Sequence, residues 1–172
     1  MRLSKQTNYA VRTLIYCAAN EPGLSRVSDI AKAYGISEMF LFKIILPVAK
    51  NGLLQTIRGR RGGVRLSRPA DQIRLIDVFR ITEESFALSE CMEENPEHCP
   101  LAGQCRYTNA LNRALNAFFE VIGEYTIADL AGSPRDLENV LGIDTLKKRP
   151  AAIRWTDRLD PIAARLRTGE AD

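Results

Sequence analysis

Histidine is almost absent from this sequence, and its hydrophobic stretches are short. His98 is the only histidine in 172 residues, and no arrangement of acidic, basic and nucleophilic side chains suggests an active site. No apolar run approaches the ~20 residues that a membrane-spanning helix needs. We therefore expect a protein that is not an enzyme, with no small-molecule substrate and no membrane partner.

Cysteines are few, and three of the four lie close together in the chain. Asn8 and Arg12 interrupt the apolar residues near the N-terminus, so we expect no secretory leader and a cytoplasmic location. The cytosol is reducing, and clustered cysteines there are more often metal ligands or redox groups than disulfides. Cys17 lies beside an apolar helical stripe, so we expect it to be a buried hydrophobic residue outside the cluster.

Cys91, Cys99 and Cys105 have the spacing C-x7-C-x5-C, and we predict that they are metal and cofactor ligands. Soft thiolates favour zinc, copper(I) or iron–sulfur clusters. Structural zinc sites usually have C-x2-4-C pairs and four ligands, although zinc remains an alternative. In a [4Fe-4S] cluster, three cysteines leave one iron with a weaker ligand or none. Such an iron is the easiest to lose, which suits a sensor better than an electron carrier.

Charge is unevenly distributed along the chain. Residues 1–80 contain 14 Lys or Arg against 5 Asp or Glu, whereas residues 81–130 contain 2 against 9. A localised basic surface favours a polyanionic partner, because neutralising phosphates releases counterions. On charge alone, a solvated basic face is an equal alternative.

Residues 6–20 have the apolar spacing of an amphipathic helix, and two further helices follow. Ser28 and Ser37 are predicted to cap these two helices, and Gly35 allows the left-handed turn between them. This pattern predicts a helix-turn-helix, with a plain helical hairpin as the alternative. Pro47 predicts a kink or an early end of the second helix near Leu46.

The first turns of the second helix should face DNA, because this part of a helix-turn-helix reaches the base edges. The predicted DNA-binding residues there are Ser37, Glu38, Phe42 and Lys43. Glu38 can accept a hydrogen bond from cytosine and Phe42 can contact a thymine methyl. A place for Phe42 in the core is the alternative.

A β-hairpin is predicted next, with Leu54 to Arg58 pairing against Val64 to Leu66. Arginines surround its glycine-rich turn, at positions 58, 60, 61, 65 and 68. A helix-turn-helix followed by a basic hairpin is a winged helix, whose wing can insert arginine into a narrow minor groove. We predict Arg58, Arg60 and Arg61 as DNA-binding residues, with an exposed basic loop as the alternative.

The remaining sequence predicts a short helix near residues 76–82 and a long helix over residues 106–123. The apolar stripe of the long helix is wider than one small head needs, which predicts a homodimer on double-stranded operator DNA; packing within one monomer is the alternative. The predicted fold is mainly α with a small β wing, a winged helix-turn-helix plus a long dimerisation helix. We expect three parts, a DNA-binding head (1–80), a cluster loop with the dimerisation helix (81–143) and a partly disordered arm (144–172).

Several motifs together resemble the Rrf-type winged-helix iron–sulfur transcriptional regulators, and most of all their rhizobial iron regulator (RirA-like) branch. These motifs are MRLSKQTNYAVR, GISEMFLFKI, IRGRRGGVRL, the three cysteines and AFFEVIGEYTIADL. The resemblance covers about residues 1–143. It implies a homodimeric repressor of iron-uptake genes that binds DNA while its iron–sulfur cluster, expected to be [4Fe-4S], is intact.

The resemblance also implies particular residue roles. Arg58 corresponds to a wing arginine that enters the minor groove, and Ser37, Phe42 and Lys43 correspond to helix positions that face DNA. The cluster-biogenesis regulators of the family have a histidine ligand where this chain has Thr108, and nitric-oxide-sensing relatives use an acidic residue where it has Asn8. The fourth ligand therefore stays unassigned, with His98 and nearby glutamates as candidates.

Three alternatives to iron sensing remain open. They are a nitric oxide or redox sensor, a constitutive DNA-binding protein with structural zinc, and, least favoured, an electron carrier.

Overall fold

The structure is a computed structural model that describes residues 2–60, 62–93, 99–101 and 104–143. The helices and strands, in chain order, are α1 (Lys5–Ala19), α2 (Val27–Tyr34), α3 (Glu38–Lys50), β1 (Leu54–Ile57), β2 (Gly63–Leu66), a 3-10 helix (Ala70–Gln72), α4 (Leu75–Thr82), a second 3-10 helix (Glu90–Met92), α5 (Arg106–Glu124), α6 (Ile127–Ala131) and α7 (Pro134–Leu141). The predicted fold class, mainly α with a small β wing, is confirmed.

Helix α1 lies at the centre of the fold. It begins after Ser4, whose hydroxyl accepts a hydrogen bond from the backbone N–H of Thr7 at 3.1 Å. Ala10, Leu14 and Cys17 repeat at helical spacing and are all fully buried. Burial raises the pKa of Cys17 to about 12, because an apolar environment disfavours the thiolate. The prediction that this cysteine is a core residue is confirmed.

Helices α2 and α3 form the predicted helix-turn-helix. Gly35 ends α2 in a left-handed conformation with φ of 63°, which glycine adopts without steric cost. The predicted cap at Ser28 is wrong, because α2 already begins at Val27 and Ser28 lies within its first turn. The backbone of Ser25 exchanges two hydrogen bonds with Val64 of β2, just before the N-cap residue of α2, Arg26.

Helix α3 continues past its internal proline. The alternative of an early end near Leu46 is wrong, since the helix runs on to Lys50. Ile44, Ile45 and Val48 lie on both sides of the proline and are at most 1% exposed. Burying three such side chains outweighs the single backbone hydrogen bond that proline removes.

The wing is the two-stranded antiparallel hairpin of β1 and β2, as predicted. Leu54 pairs with Leu66 and Ile57 with Gly63, so β1 ends one residue earlier and β2 begins one residue earlier than expected. A Cβ atom at Gly62 would lie 2.2 Å from the carbonyl oxygen of Ile57. Only glycine therefore fits this tight return of the chain.

Helix α4 connects the head to the long helix α5. It begins at Leu75, one residue earlier than predicted, and its Phe79 ring stacks on Phe118 of α5 with centroids 6.1 Å apart. The backbone N–H of Leu75 also donates to the carbonyl of Tyr125 at 2.8 Å. Helix α4 therefore contacts both α5 and the residue that follows it, Tyr125.

Helix α5 matches its prediction to within one residue, and none of its side chains is buried in the single chain. Beyond it, Ile127 and Ile143 belong to the same hydrophobic core as α1. The predicted arm, residues 144–172, lies outside the described residues. The division of the chain into three parts stays a prediction.

Candidate metal centre and nucleic-acid interface

Two of the three clustered cysteines come together around one hydroxyl group. Cys91 lies in the 3-10 helix before the loop, and Cys105 is the residue that caps the N-terminus of α5. Thr108, in the first turn of α5, places its hydroxyl 3.3 Å from Sγ of Cys91. The hydroxyl of Ser89 lies 3.1 Å from the same sulfur. Both cysteines are half-buried.

The same hydroxyls tune the acidity of both thiols. The pKa of Cys91 is lowered, first by the hydrogen bond with Ser89 and next by that with Thr108, while burial and the nearby Cys105 oppose the shift. The pKa of Cys105 is also lowered, chiefly by the side chain of Thr108 and then by its backbone. Hydrogen bonds to a thiolate favour the charged form, which is the form that binds metals.

Cys99 is exposed and does not join the other two. In the described residues, no three cysteine, histidine or acidic side chains form a group that is able to hold a metal ion. The candidate fourth ligands Glu94, Glu97 and His98 lie outside the described residues. Adjacent half-buried thiols with hydroxyl donors fit the chemistry of a thiolate-bound metal or cluster, although the structure assembles only two of the three predicted ligands.

Asn8, at the position where nitric-oxide-sensing relatives carry an acidic ligand, is exposed. Its side-chain amide donates to the backbone carbonyl of Ser4 at 3.1 Å.

The four residues predicted to face DNA on α3 are all exposed. Ser37 caps the helix as predicted, since its hydroxyl accepts from the backbone N–H of Phe40 at 3.2 Å. Phe42 is 48% exposed, so the alternative that it belongs to the core is wrong. Glu38 and Lys43 extend the same accessible surface along the first two turns.

The wing arginines have different environments. Arg58 and Arg60 are exposed, whereas Arg61 lies outside the described residues. Arg65 donates from Nε to Gln55 at 2.8 Å, which holds its side chain on the hairpin. Arg68 lies 3.9 Å from the carboxylate of Asp77 and belongs to the base of the wing. The exposed arginines that the structure describes in the wing, Arg58 and Arg60, therefore lie at its tip.

Four residues beside the predicted site residues were not assigned a role from the sequence. The sequence analysis did not predict that the hydroxyls of Ser89 and Thr108 contact the thiols. Helical spacing, which places Thr108 one turn after Cys105, could have indicated it for Thr108. Met39 and Leu46 are 74% and 65% exposed, and their spacing from Phe42 would have placed them on its helical face.

None of the helices within the described ranges is long and apolar enough to cross a lipid bilayer.

The Rrf2 family profile, described as an iron-dependent transcriptional regulator, matches residues 3–133. Protein aau3 of Rhizobium meliloti (strain 1021) is 56% identical over 144 residues, covering 84% of this chain and 94% of that protein. The HTH-type transcriptional regulator NsrR of Bacillus subtilis (strain 168) is 38% identical over 142 residues, covering 82% and 97%.

Among solved structures, CymR, the global cysteine regulator of B. subtilis, superimposes with a TM-score of 0.63 at 26% identity, covering 76% of this chain and 96% of that one. The resemblance to Rrf-type regulators is confirmed, and with it the expectation of a regulator in place of an enzyme. The chain is a member of the Rrf2 family of winged-helix transcriptional regulators.

Proposed function

We propose that this chain is an iron-responsive repressor whose DNA binding is controlled by a labile iron–sulfur cluster on Cys91, Cys99 and Cys105. The observation that carries the proposal is the meeting of Cys91 and Cys105 around the hydroxyl of Thr108. Two acidified thiols beside a helix N-terminus are prepared to bind as thiolates. The family description as iron-dependent regulators supports the same reading.

The third cysteine and the missing fourth ligand explain why we expect the cluster to lose iron readily. Cys99 is exposed on the same loop, so it closes the ligand set only when the loop folds onto a bound group. Thr108 corresponds to the histidine of the cluster-biogenesis regulators of the family, and its hydroxyl lies within hydrogen-bond distance of Cys91. A [4Fe-4S] cluster held by three thiolates supplies an iron that shortage or oxidation removes readily.

Signal transfer runs through helices α4 and α5. Cys105 begins α5, and Phe118 of the same helix stacks on Phe79 of α4, which is part of the head's core. A ligand set that positions the start of α5 therefore biases the placement of the head. If the cluster-bound form has the higher operator affinity, cluster loss shifts the protein off DNA by the same coupling free energy.

The DNA-bound form is a homodimer in the cytoplasm. Helix α5 has no fully buried residue in one chain and carries an apolar stripe of Leu111, Leu115, Phe118 and Ile122. Phe118 and Ile122 also pack against the core of the same chain, so a partner subunit would cover the part of the stripe that stays exposed. Pairing two such helices buries the stripe and sets two heads on a twofold axis, about one DNA turn apart. Each α3 then enters a major groove, and each Arg58 enters the adjacent minor groove.

A redox sensor is the second candidate function. It is favoured by the lowered pKa values of Cys91 and Cys105, because thiolates are the form that oxidants attack. In that case peroxide would release DNA while iron chelation would not.

One experiment tests the proposal. The protein is purified without oxygen, its visible absorption and native mass are recorded, and its affinity for DNA from upstream of its own gene is measured before and after iron chelation. We expect a coloured dimer that releases DNA when iron is removed. A colourless protein with unchanged affinity would contradict the proposal and favour structural zinc.

A further inference from the structure

The solvent-exposed face of helix α3 is unusually apolar for a surface that is predicted to bind DNA. Met39, Phe42 and Leu46 are 74%, 48% and 65% exposed. They follow one another at i, i+3 and i+7, which places them on one side of the helix. Isolated apolar residues are common on protein surfaces, but an aligned set marks a binding surface.

This face cannot be an exposed edge of the core. The core-facing side of α3 consists of Leu41, Ile44, Ile45 and Val48, all at most 1% exposed. At 100° per residue, this buried side centres about 180° from the side that carries Met39. The helix is therefore apolar on two opposite sides, and only one of them is used inside the head.

Two lysines border the apolar residues on one side, and the exposed Glu38 borders them on the other. Lys43 and Lys50 are exposed, and helical spacing places both within about 40° of Met39 around the axis. The exposed wing residues Arg58 and Arg60 add further positive charge to the head. Apolar side chains beside cations suit a partner that has phosphates at its edges and apolar groups between them. A major groove that contains thymine methyl groups has this arrangement, and its amino groups can donate to a carboxylate such as that of Glu38.

We propose that α3 recognises its operator through the 5-methyl groups of thymines, contacted by Met39 and Phe42 and, further along the helix, by Leu46. Thymine is the only base that presents a methyl group in the major groove. This inference rests on the proposed DNA binding and specifies its chemistry. It assigns to Met39 and Leu46 a role in sequence specificity, beside Phe42.

The positions of the three side chains along the helix axis predict how much each contributes to DNA recognition. Met39 and Phe42 are separated by about 4.5 Å along the axis, which is close to the ~3.4 Å spacing of bases along one strand. They can therefore contact methyl groups on neighbouring bases. Leu46 lies about 6 Å beyond Phe42, farther from the N-terminal turns that reach the base edges, so its contribution should be the smallest.

Replacing thymine with deoxyuridine tests the inference at the level of one methyl group. Duplexes are first selected from a random library with the anaerobically purified dimer. Each thymine of the selected half-site is then replaced by deoxyuridine. We expect one or two positions at which affinity falls about 4-fold per methyl group. Met39→Ala or Phe42→Ala should abolish the loss at its own position, which forms a double-mutant cycle.

Lys43→Ala is the matched control on the same face. It should weaken binding to thymine and deoxyuridine duplexes equally and lower the salt dependence, because a phosphate contact carries no methyl information. Thermal melting and native mass are measured for every variant. Since all three substituted side chains are exposed, we expect both to remain unchanged.

The outcomes separate the inference from the proposed function. Equal affinity for thymine and deoxyuridine at every position would overturn methyl recognition while leaving DNA binding intact. A change of native mass in the Met39 or Phe42 variants would also overturn it, because the face would then be an oligomer contact. Failure to select any duplex would overturn both.

Discussion

Helix α3 and the cysteine segment, which we define as residues 83–105, are stabilised in different ways. Helix α3 alone contributes four buried side chains to the core of the head. From residue 83 through α5 to residue 126, no described residue is buried. Hydrophobic burial is the main source of folding free energy, so the head has its own source of stability. The cysteine segment and α5 contribute only partly buried residues such as Phe86, Phe118 and Ile122 to this core. Under the proposed function, a bound group and a second subunit would add to their stability.

Removing a cluster ligand should separate the two regions most clearly. We expect Cys99→Ala to abolish the visible absorption of the anaerobically purified protein. Its melting temperature should stay within a few degrees of that of the cluster-free wild type, because the exposed side chain of Cys99 adds nothing to the core. Absorption spectra and thermal melting measure the two effects.

Cys17→Ala is the matched control for this change. Cys17 is fully buried, so its loss should destabilise the head by about 1 kcal/mol and leave the cluster absorption in place. The opposite pattern, in which Cys17→Ala removes the cluster and Cys99→Ala does not, would contradict the assigned ligands.

A charge placed in the stripe of α5 should break the dimer. Leu115 is partly exposed in one chain, and burying a glutamate there in a subunit interface would cost several kcal/mol. We expect Leu115→Glu to shift the native mass from dimer to monomer. Asn116→Glu adds the same charge at an exposed position about 100° further around the helix and should leave the dimer intact. If both variants remain dimeric, α5 is not the seam.

Loss of the wing arginine should weaken DNA binding while the cysteine segment is unaffected. We expect Arg58→Ala to lower operator affinity about 10-fold and to relax any A·T preference beside the half-site. Arg68→Ala is the control, because Arg68 is paired with Asp77 at the base of the wing. If both variants lose the same operator affinity, the minor-groove contact is not made by Arg58.

The two regions also differ in how far the sequence could predict them. The head follows from periodicity and turn residues, so α3, the wing and the burial of Cys17 were all predictable. Pro47 misled the prediction because the packing of Ile44, Ile45 and Val48 is a tertiary effect. The contact of Thr108 with Cys91 joins positions 17 residues apart, and no local pattern encodes it.

The Thr108 hydroxyl offers a pH test of the cysteine segment. It lowers the pKa of both Cys91 and Cys105, so removing it should raise both values. We expect Thr108→Val to move the pH midpoint of thiol alkylation upwards in the cluster-free protein, and to speed iron loss from the loaded protein. Thr108→Ser keeps the hydroxyl and should behave like wild type. An unchanged midpoint in the valine variant would contradict the bridging role.

The smallest expected effect concerns the two serines that the sequence predicted as helix caps. Ser37 accepts a hydrogen bond from Phe40, and Ser37→Ala should lower the free energy of unfolding by about 1 kcal/mol. Ser28 caps no helix, so Ser28→Ala should change it by less than about 0.5 kcal/mol. Chemical denaturation measures both. Because Ser37 also begins α3, we expect Ser37→Ala to lower operator affinity as well. Equal free energies of unfolding for the two variants would mean that the cap contributes nothing to the stability of the head.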